Sequence, residues 1–253
     1  MKIKKINLKF VLFIFILLII NLCCIYINGN ELTMSEREKN LCKLYQEKKL
    51  LVLTFDDGPS NYTPQLLEIL KKNNVNATFF VLGSQAEKYP EIVKKTSEDG
   101  NLVYIHSYTH TFFTKIDKSK ILSQINKTKD IISPLVQNEI KYIRVPYGII
   151  NDNVKEILKE ENLENVLWTV DSLDWKYKEI DITVSNIKKD VTGNDIILMH
   201  DILKSSVEAA DKLISYYKEL GFEFVTIDEF NHIKIISNSL KSWFYLIFSN
   251  NII

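Results

Sequence analysis

Five short clusters hold the residues equipped for chemistry in this chain. In Thr54-Phe55-Asp56-Asp57-Gly58-Pro59 two adjacent carboxylates repel, so neighbours must stabilise both charges or one pKa rises, and a metal cation is the simplest remedy. The same residues also suit an ordinary turn. In His106-Ser107-Tyr108-Thr109-His110 two imidazoles four apart converge on one cation if the backbone between them makes a single turn, and with one carboxylate they form a three-ligand site open to water. A solvated pair is the plainer alternative, yet the chain has only four histidines and two fall here. In Arg144-Val145-Pro146-Tyr147-Gly148 a guanidinium can orient a carboxylate, and the turn after Pro146 can aim a backbone N–H at a developing oxyanion. A surface arginine beside a turn reads equally well. Asp171-Ser172-Leu173-Asp174-Trp175 sets a carboxylate beside an aromatic wall, able to tune a histidine, shape an apolar pocket or cap a helix. Ile196-Ile197-Leu198-Met199-His200-Asp201 delivers a histidine to a strand end, whether for chemistry or as a core residue.

Such clusters need elements to hold them. Short apolar runs at 51–55, 77–82, 102–105, 142–145, 166–170, 196–199 and 222–225 read as strands. Amphipathic stretches at 64–73, 87–98, 119–132, 153–160, 180–190 and 205–220 read as helices between them. Continuous apolar strands alternating with helices predict an α/β fold with a parallel sheet covered on its faces, either a barrel or an open doubly wound sheet. Every cluster then falls just after a strand, where parallel α/β folds place their active sites. Past residue 230 the pattern fades, and 240–248 forms an apolar tail segment, read as a docking helix or strand or as an interfacial stretch.

The chain has 253 residues, 46% hydrophobic and 25% charged, which suits a globular protein and excludes a disordered, collagenous or polytopic membrane chain. Its 32 basic residues balance its 32 acidic ones, but Lys2, Lys4, Lys5 and Lys9 all lie in a leader without acids, so the body is mildly acidic. No clustered basic face suggests a nucleic-acid partner. Cys23 and Cys24 sit in the leader and Cys42 alone in the body, an inventory that supports no disulfide framework. The lysines followed by an apolar run through residue 27 read as an export signal, long enough to remain as an uncleaved anchor with the body outside the membrane. The expected plan is a signal peptide or anchor at 1–30, a polar linker or short helix at 31–49, a domain at 50–235 and an apolar tail at 236–253.

The five clusters, together with Asn76-Ala77-Thr78-Phe79-Phe80-Val81-Leu82-Gly83, resemble the polysaccharide deacetylase family, the NodB-homology domain of carbohydrate esterase family 4, over roughly residues 50–230. The resemblance implies a distorted (β/α) barrel, expected to be seven-stranded, and metal-dependent removal of acetyl groups from N-acetylated sugars. It implies Asp57, His106 and His110 as metal ligands, Asp56 as general base and Arg144 as the residue orienting it. It also implies the Tyr147 N–H as oxyanion donor, Asp174 paired with the general acid His200, and Trp175 and Leu198 walling an acetyl pocket. One divalent ion is expected, zinc first, with cobalt, manganese or nickel as alternatives. Relatives commonly read Gly-His-Glu-Ile-Gly-Asn-His where this chain has Gly100-Asn101-Leu102-Val103-Tyr104-Ile105-His106, and Thr111 stands where a proline is usual.

The leading expectation is an extracytoplasmic deacetylase of cell-wall glycan, membrane-anchored or secreted and expected to be a monomer, with peptidoglycan as substrate. Chitin-type oligosaccharide or another exported polysaccharide is the alternative substrate. From a different class, a glycan-binding module that has lost turnover is the competing reading. A glycosidase pair at Asp56 and Asp57 is disfavoured, because such carboxyl groups stand about 5 to 9.5 Å apart across the scissile bond and adjacent residues rarely do.

Overall fold

The computed structural model of the protein describes residues 34–249, with side chains as far as residue 239. The leader expected at 1–30 and the side chains of the 240–248 segment lie outside the described residues. The chain divides into two compact units, one ending at Leu41 and the other beginning at Cys42.

In the first unit Ser35 opens helix α1 (Glu36–Gln46). Its hydroxyl accepts the Glu38 N–H at 3.2 Å while the Glu38 carboxylate accepts the Ser35 N–H at 2.7 Å. This reciprocal pair satisfies donors that a helix start leaves open.

The second unit carries a wholly parallel sheet. Its strands are β1 (Leu50–Asp56), β2 (Thr78–Val81), β3 (Leu102–Ile105), β4 (Tyr142–Ile143), β5 (Glu164–Asn165), β6 (Val170–Asp171), β7 (Asp195–His200) and β8 (Glu223–Phe224). Seven run in the order β5-β4-β3-β2-β1-β7-β6. The two-residue β8 is an eighth, pairing with Leu50 and Leu51 at the start of β1, ahead of the point where β2 takes over that edge at Thr54. All seven residues of β1 are buried, as expected of a central strand covered on both faces. Burying each of its large apolar side chains stabilises the fold by roughly 1.5–3 kcal/mol.

The outer layer is helical: α2 (Thr63–Lys72), α3 (Gly83–Lys88), α4 (Pro90–Glu98), α5 (Lys118–Ile132), α6 (Asp152–Glu160), α7 (Asp174–Tyr177), α8 (Ile180–Asp190), α9 (Lys204–Glu219) and α10 (Ile227–Ser249). Each long helix turns an apolar stripe to the sheet; α9, for example, buries Val207, Ala210, Leu213, Ile214 and Tyr217.

Two sequence expectations are corrected. The helix expected at 87–98 is two helices, because Pro90 has no N–H to donate and disfavours helical geometry in Tyr89, which stands at φ −131°, ψ 54°. Of the strand expected at 166–170 only Val170 enters a ladder, in β6, and residues 166–169 are instead a crossing between β5 and β6. The Val166 N–H bonds to Ile143 O at 2.8 Å and the Thr169 N–H to Ile196 O at 2.9 Å, so these residues step from one flank of the sheet to the other. Among the described residues no ladder joins β5 to β6, and the barrel is open along that seam. Of the apolar residues at 166–170, Trp168 lines the cavity at the barrel's mouth, and Val170 pairs with Ile197.

The end of α1 packs within the second unit: Cys42 is buried, the Tyr45 ring meets Phe230 edge-on at 6.0 Å, and Tyr45 O accepts from Asn194 Nδ2 at 2.7 Å. Among the described residues no helix is long and apolar enough to cross a membrane.

Candidate metal centre and active site

Because every strand runs the same way, the residues following β1, β3, β4, β6 and β7 emerge at one end of the sheet. Register does the finer placement, setting Asp56 beside His200, Ile105 beside Ile143, and Asp171 beside Leu198. A cavity of about 360 Å³ opens there, lined by Asp56, Asp57, His106, His110, Tyr147, Trp168, Asp171, Trp175, Leu198 and His200.

Asp57, His106 and His110 form the tightest cluster, with one donor atom from each lying within 4.8 Å of the others. Asp57 Oδ1 stands 3.6 Å from His106 Nε2 and 3.5 Å from His110 Nε2. Donors held about 2.0–2.1 Å from a tetrahedral zinc ion are roughly 3.4 Å apart. Local backbone makes this possible: Asp57, Ser107 and His110 adopt left-handed φ values of 72°, 78° and 56°, and the His110 N–H bonds back to Ser107 Oγ at 2.9 Å. His106 Nδ1–H donates to the Arg144 carbonyl at 2.6 Å, which leaves Nε2 as the free lone pair. Burial is the main reason that its pKa falls to about 3, so the ring stays neutral as a ligand must. Asp57 Oδ1 is buried without a hydrogen-bond partner, an orphan that a divalent cation would satisfy. The donor set therefore fits the expected ion.

Asp56 closes one side. Its Oδ1 accepts from Arg144 Nη1 at 2.8 Å, while Oδ2 lies 3.7 Å from His106 Nε2. Burial pushes its pKa above the usual carboxylate range, against the opposing pull of Arg144 and His200. Arg144 is wholly buried; Nη1 also reaches Thr54 Oγ1 at 2.7 Å and Nε reaches Val166 O at 3.0 Å. Its guanidinium lies 4.3 Å over the Phe80 ring and 5.6 Å from Trp168.

On the other side, His200 Nδ1 bonds to Asp174 Oδ1 at 2.7 Å, and the His200 N–H donates to Asp174 Oδ2 at 2.8 Å. Burial disfavours the imidazolium, but the hydrogen bond and charge of Asp174, aided by Asp56 and Asp57, outweigh it and raise the pKa to about 9. Reciprocally, burial would lift Asp174, yet His200 holds it below the ordinary range. The Trp175 N–H ties into the same carboxylate at 2.7 Å, leaving its ring half exposed at the rim opposite buried Leu198.

Tyr147 sits at φ 63°, ψ 1° inside the turn Pro146–Gly148. Its ring stacks on Phe112 at 3.6 Å and 6°, and meets the His110 ring at 4.5 Å. Of the ten residues singled out from the sequence, eight line this cavity, while Arg144 and Asp174 lie fully buried behind it, bonded to Asp56 and His200. Sequence reasoning missed Trp168 and Phe112, and it named Asp171 and Asp201 without assigning them a part. Asp201 is fully buried, and burial pushes its pKa up to about 7.

A family model described as polysaccharide deacetylase matches residues 43–166. A peptidoglycan-N-acetylglucosamine deacetylase of Bacillus cereus is 40% identical over 185 residues, covering 71% of this chain and 67% of that protein. The peptidoglycan-N-acetylmuramic acid deacetylase PdaC of Bacillus subtilis is 37% identical over 188 residues, covering 74% of this chain but only 40% of PdaC. The solved structure of peptidoglycan deacetylase PdaC from Bacillus subtilis superposes with a TM-score of 0.72 at 36% identity, covering 76% of this chain and 95% of the solved one.

Proposed function

The chain belongs to the polysaccharide deacetylase family, and from that premise we propose that it hydrolyses the acetamido groups of N-acetylated amino sugars in peptidoglycan. The observation that carries this reading is the flanking of the Asp57, His106 and His110 cluster by a buried carboxylate on one side and a carboxylate-paired histidine on the other.

Asp57, His106 and His110 would hold one divalent ion, zinc by the fit of its donors, with cobalt, manganese or nickel able to take the same set. When bound, such an ion polarises the amide carbonyl and lowers the pKa of a water molecule from 15.7 toward about 7. Asp56 accepts that water's proton through Oδ2, since Arg144 occupies Oδ1 and fixes the carboxylate plane. Its raised pKa strengthens it as a base. The Tyr147 N–H, held by the left-handed turn, donates to the oxygen on which charge develops, an interaction worth about 3 kcal/mol when well aimed. An amine departs only once protonated, and His200, kept cationic by Asp174, supplies that proton. Trp175 and Leu198 shelter the acetyl methyl.

The lysine-flanked apolar leader supports the further proposal that the domain is exported and works outside the membrane, anchored or secreted, where peptidoglycan lies. The domain plan drawn from the sequence, with a catalytic body between a polar linker and an apolar tail, belongs to the same proposal.

Acetate release from peptidoglycan and from chitin oligomers tests the reading. The expected outcome is release from peptidoglycan that chelator abolishes and added zinc restores. In Asp56→Asn, turnover should vanish while zinc stays bound; loss of the ion in that variant would reverse the parts given to the two aspartates. No chelator-sensitive acetate from any glycan overturns the function.

A further inference from the structure

A fully buried carboxylate with no part in the chemistry above sits one residue beyond His200. Asp201 Oδ1 has no hydrogen-bond partner, and its Oδ2 accepts from Thr63 Oγ1. Its backbone carbonyl accepts from Ser60 Oγ at 2.6 Å. Ser60 and Thr63 are themselves joined, because the Ser60 N–H donates to Thr63 Oγ1 at 2.7 Å. Gly58 lies against the same carboxylate: a Cβ added there would come within 2.2 Å of Asp201 Oδ1 and 2.3 Å of Oδ2. The segment from Gly58 to Thr63 is thus wrapped around one residue from the loop leaving β7, with Gly58 and Thr63 against its side chain and Ser60 on its backbone.

The loop leaving β1 begins with Asp57, whose left-handed φ of 72° aims its carboxylate at the two imidazoles. The two strands are in register at Asp56 and His200, so residues 57 and 201 start neighbouring loops from one level of the sheet. An unpartnered buried carboxyl oxygen is costly to keep. The clamp acts on the segment immediately behind the cluster's only carboxylate donor.

We infer that Asp201 is a positioning residue for the metal centre: clasped by Ser60 and Thr63 and fitted against Gly58, it fixes the turn that presents Asp57. The inference rests on the reading of Asp57 as a ligand, and its role is one of shape and hydrogen-bond acceptance.

The test uses the full chain, measuring zinc affinity by competition with a chelating dye and the visible absorption of the cobalt(II) form. Asp201→Ala should weaken zinc binding tenfold or more and shift the cobalt bands. Asp201→Asn, which keeps the shape and the acceptor toward Thr63, should stay within threefold of wild type. Gly58→Ala should weaken zinc, and adding Asp201→Ala to it should recover part of the loss, since methyl and carboxylate no longer compete for one space. A merely structural role would lower the melting temperature while leaving the cobalt bands in place.

A folded Asp201→Ala protein with wild-type zinc affinity and unmoved cobalt bands overturns the inference. If Asp201→Ala does not fold, Thr63→Val decides: weakened affinity with shifted bands supports the clamp, and wild-type values overturn it. Zinc binding by the wild type is read without substrate, so failure of the clamp and failure of the deacetylase reading are distinguishable. A wild-type chain that binds no zinc removes the metal centre, and the clamp with it.

Discussion

At the scale of single residues, the two groups proposed as base and acid are tuned by opposite surroundings. Asp56 is pushed upward by burial, while His200 is raised to about 9 by Asp174 despite burial. A base must be ionised, so activity should appear as pH climbs through a value above the ordinary carboxylate range. An acid must hold its proton, so activity should disappear as pH rises through the His200 value. With Asp57 engaged by a cation, its share of the push on His200 is lost and that limb falls below 9. The kcat/KM profile should be bell-shaped, and Asp174→Asn should move the alkaline limb down by at least one pH unit while lowering kcat. An unmoved limb would separate Asp174 from the titration. The same raised pKa implies stability that is complete below pH 6.5, the unfolded value, and lost as pH rises through about 9.

At the scale of elements, strand exits converge through long-range partners. Arg144, leaving β4, bonds to Thr54 and Asp56 of β1 and to the crossing at Val166. Removing one partner of a buried ion pair leaves the other uncompensated, so Arg144→Ala should lower unfolding stability by about 3–5 kcal/mol, measured by urea titration. The stack of Phe112 on Tyr147 joins the loop after β3 to the turn after β4. An aromatic pair of this kind contributes about 0.5–1.5 kcal/mol beyond its area, so Phe112→Ala should reduce kcat/KM by roughly two- to tenfold, with Phe112→Tyr restoring it.

Much at this scale was legible beforehand. β3 and α8 occupy the residues that periodicity assigns them, because each is a short buried run or a clean amphipathic stripe with local stop signals. Since the clusters follow strands, their shared mouth was legible too once the sheet was read as parallel. Residues 166–169 misled, because an apolar run carries no mark of whether it will ladder or cross a seam. Phe112, Trp168 and Asp201 escaped for a related reason: each gains its meaning from a partner far along the chain, Tyr147, Arg144 and Thr63 respectively.

At the scale of the whole molecule, the second unit begins before its first strand. Cys42, Tyr45 and the Asn194 bond to Tyr45 O all tie residues 42–46 into it. A chain beginning at residue 50 should therefore be less stable than one beginning at residue 42, by about 2–4 kcal/mol from lost apolar burial and one hydrogen bond. The urea midpoints of the two report this directly; equal midpoints would show that the segment adds nothing.

Between Val166, which holds Arg144 and Ile143, and Thr169, which bonds to Ile196, the crossing has a short unladdered stretch at Leu167 and Trp168 where length can change without moving a strand. Inside β1, β3 or β7 a one-residue insertion would slide the strand and turn Asp56, His106 or His200 to the wrong face. Between Leu167 and Trp168 it would lengthen a bridge, keeping the Val166 bond to Arg144 while redrawing the outline of the groove around Trp168. The border's outline can thus vary while β1, β3 and β7 keep their register.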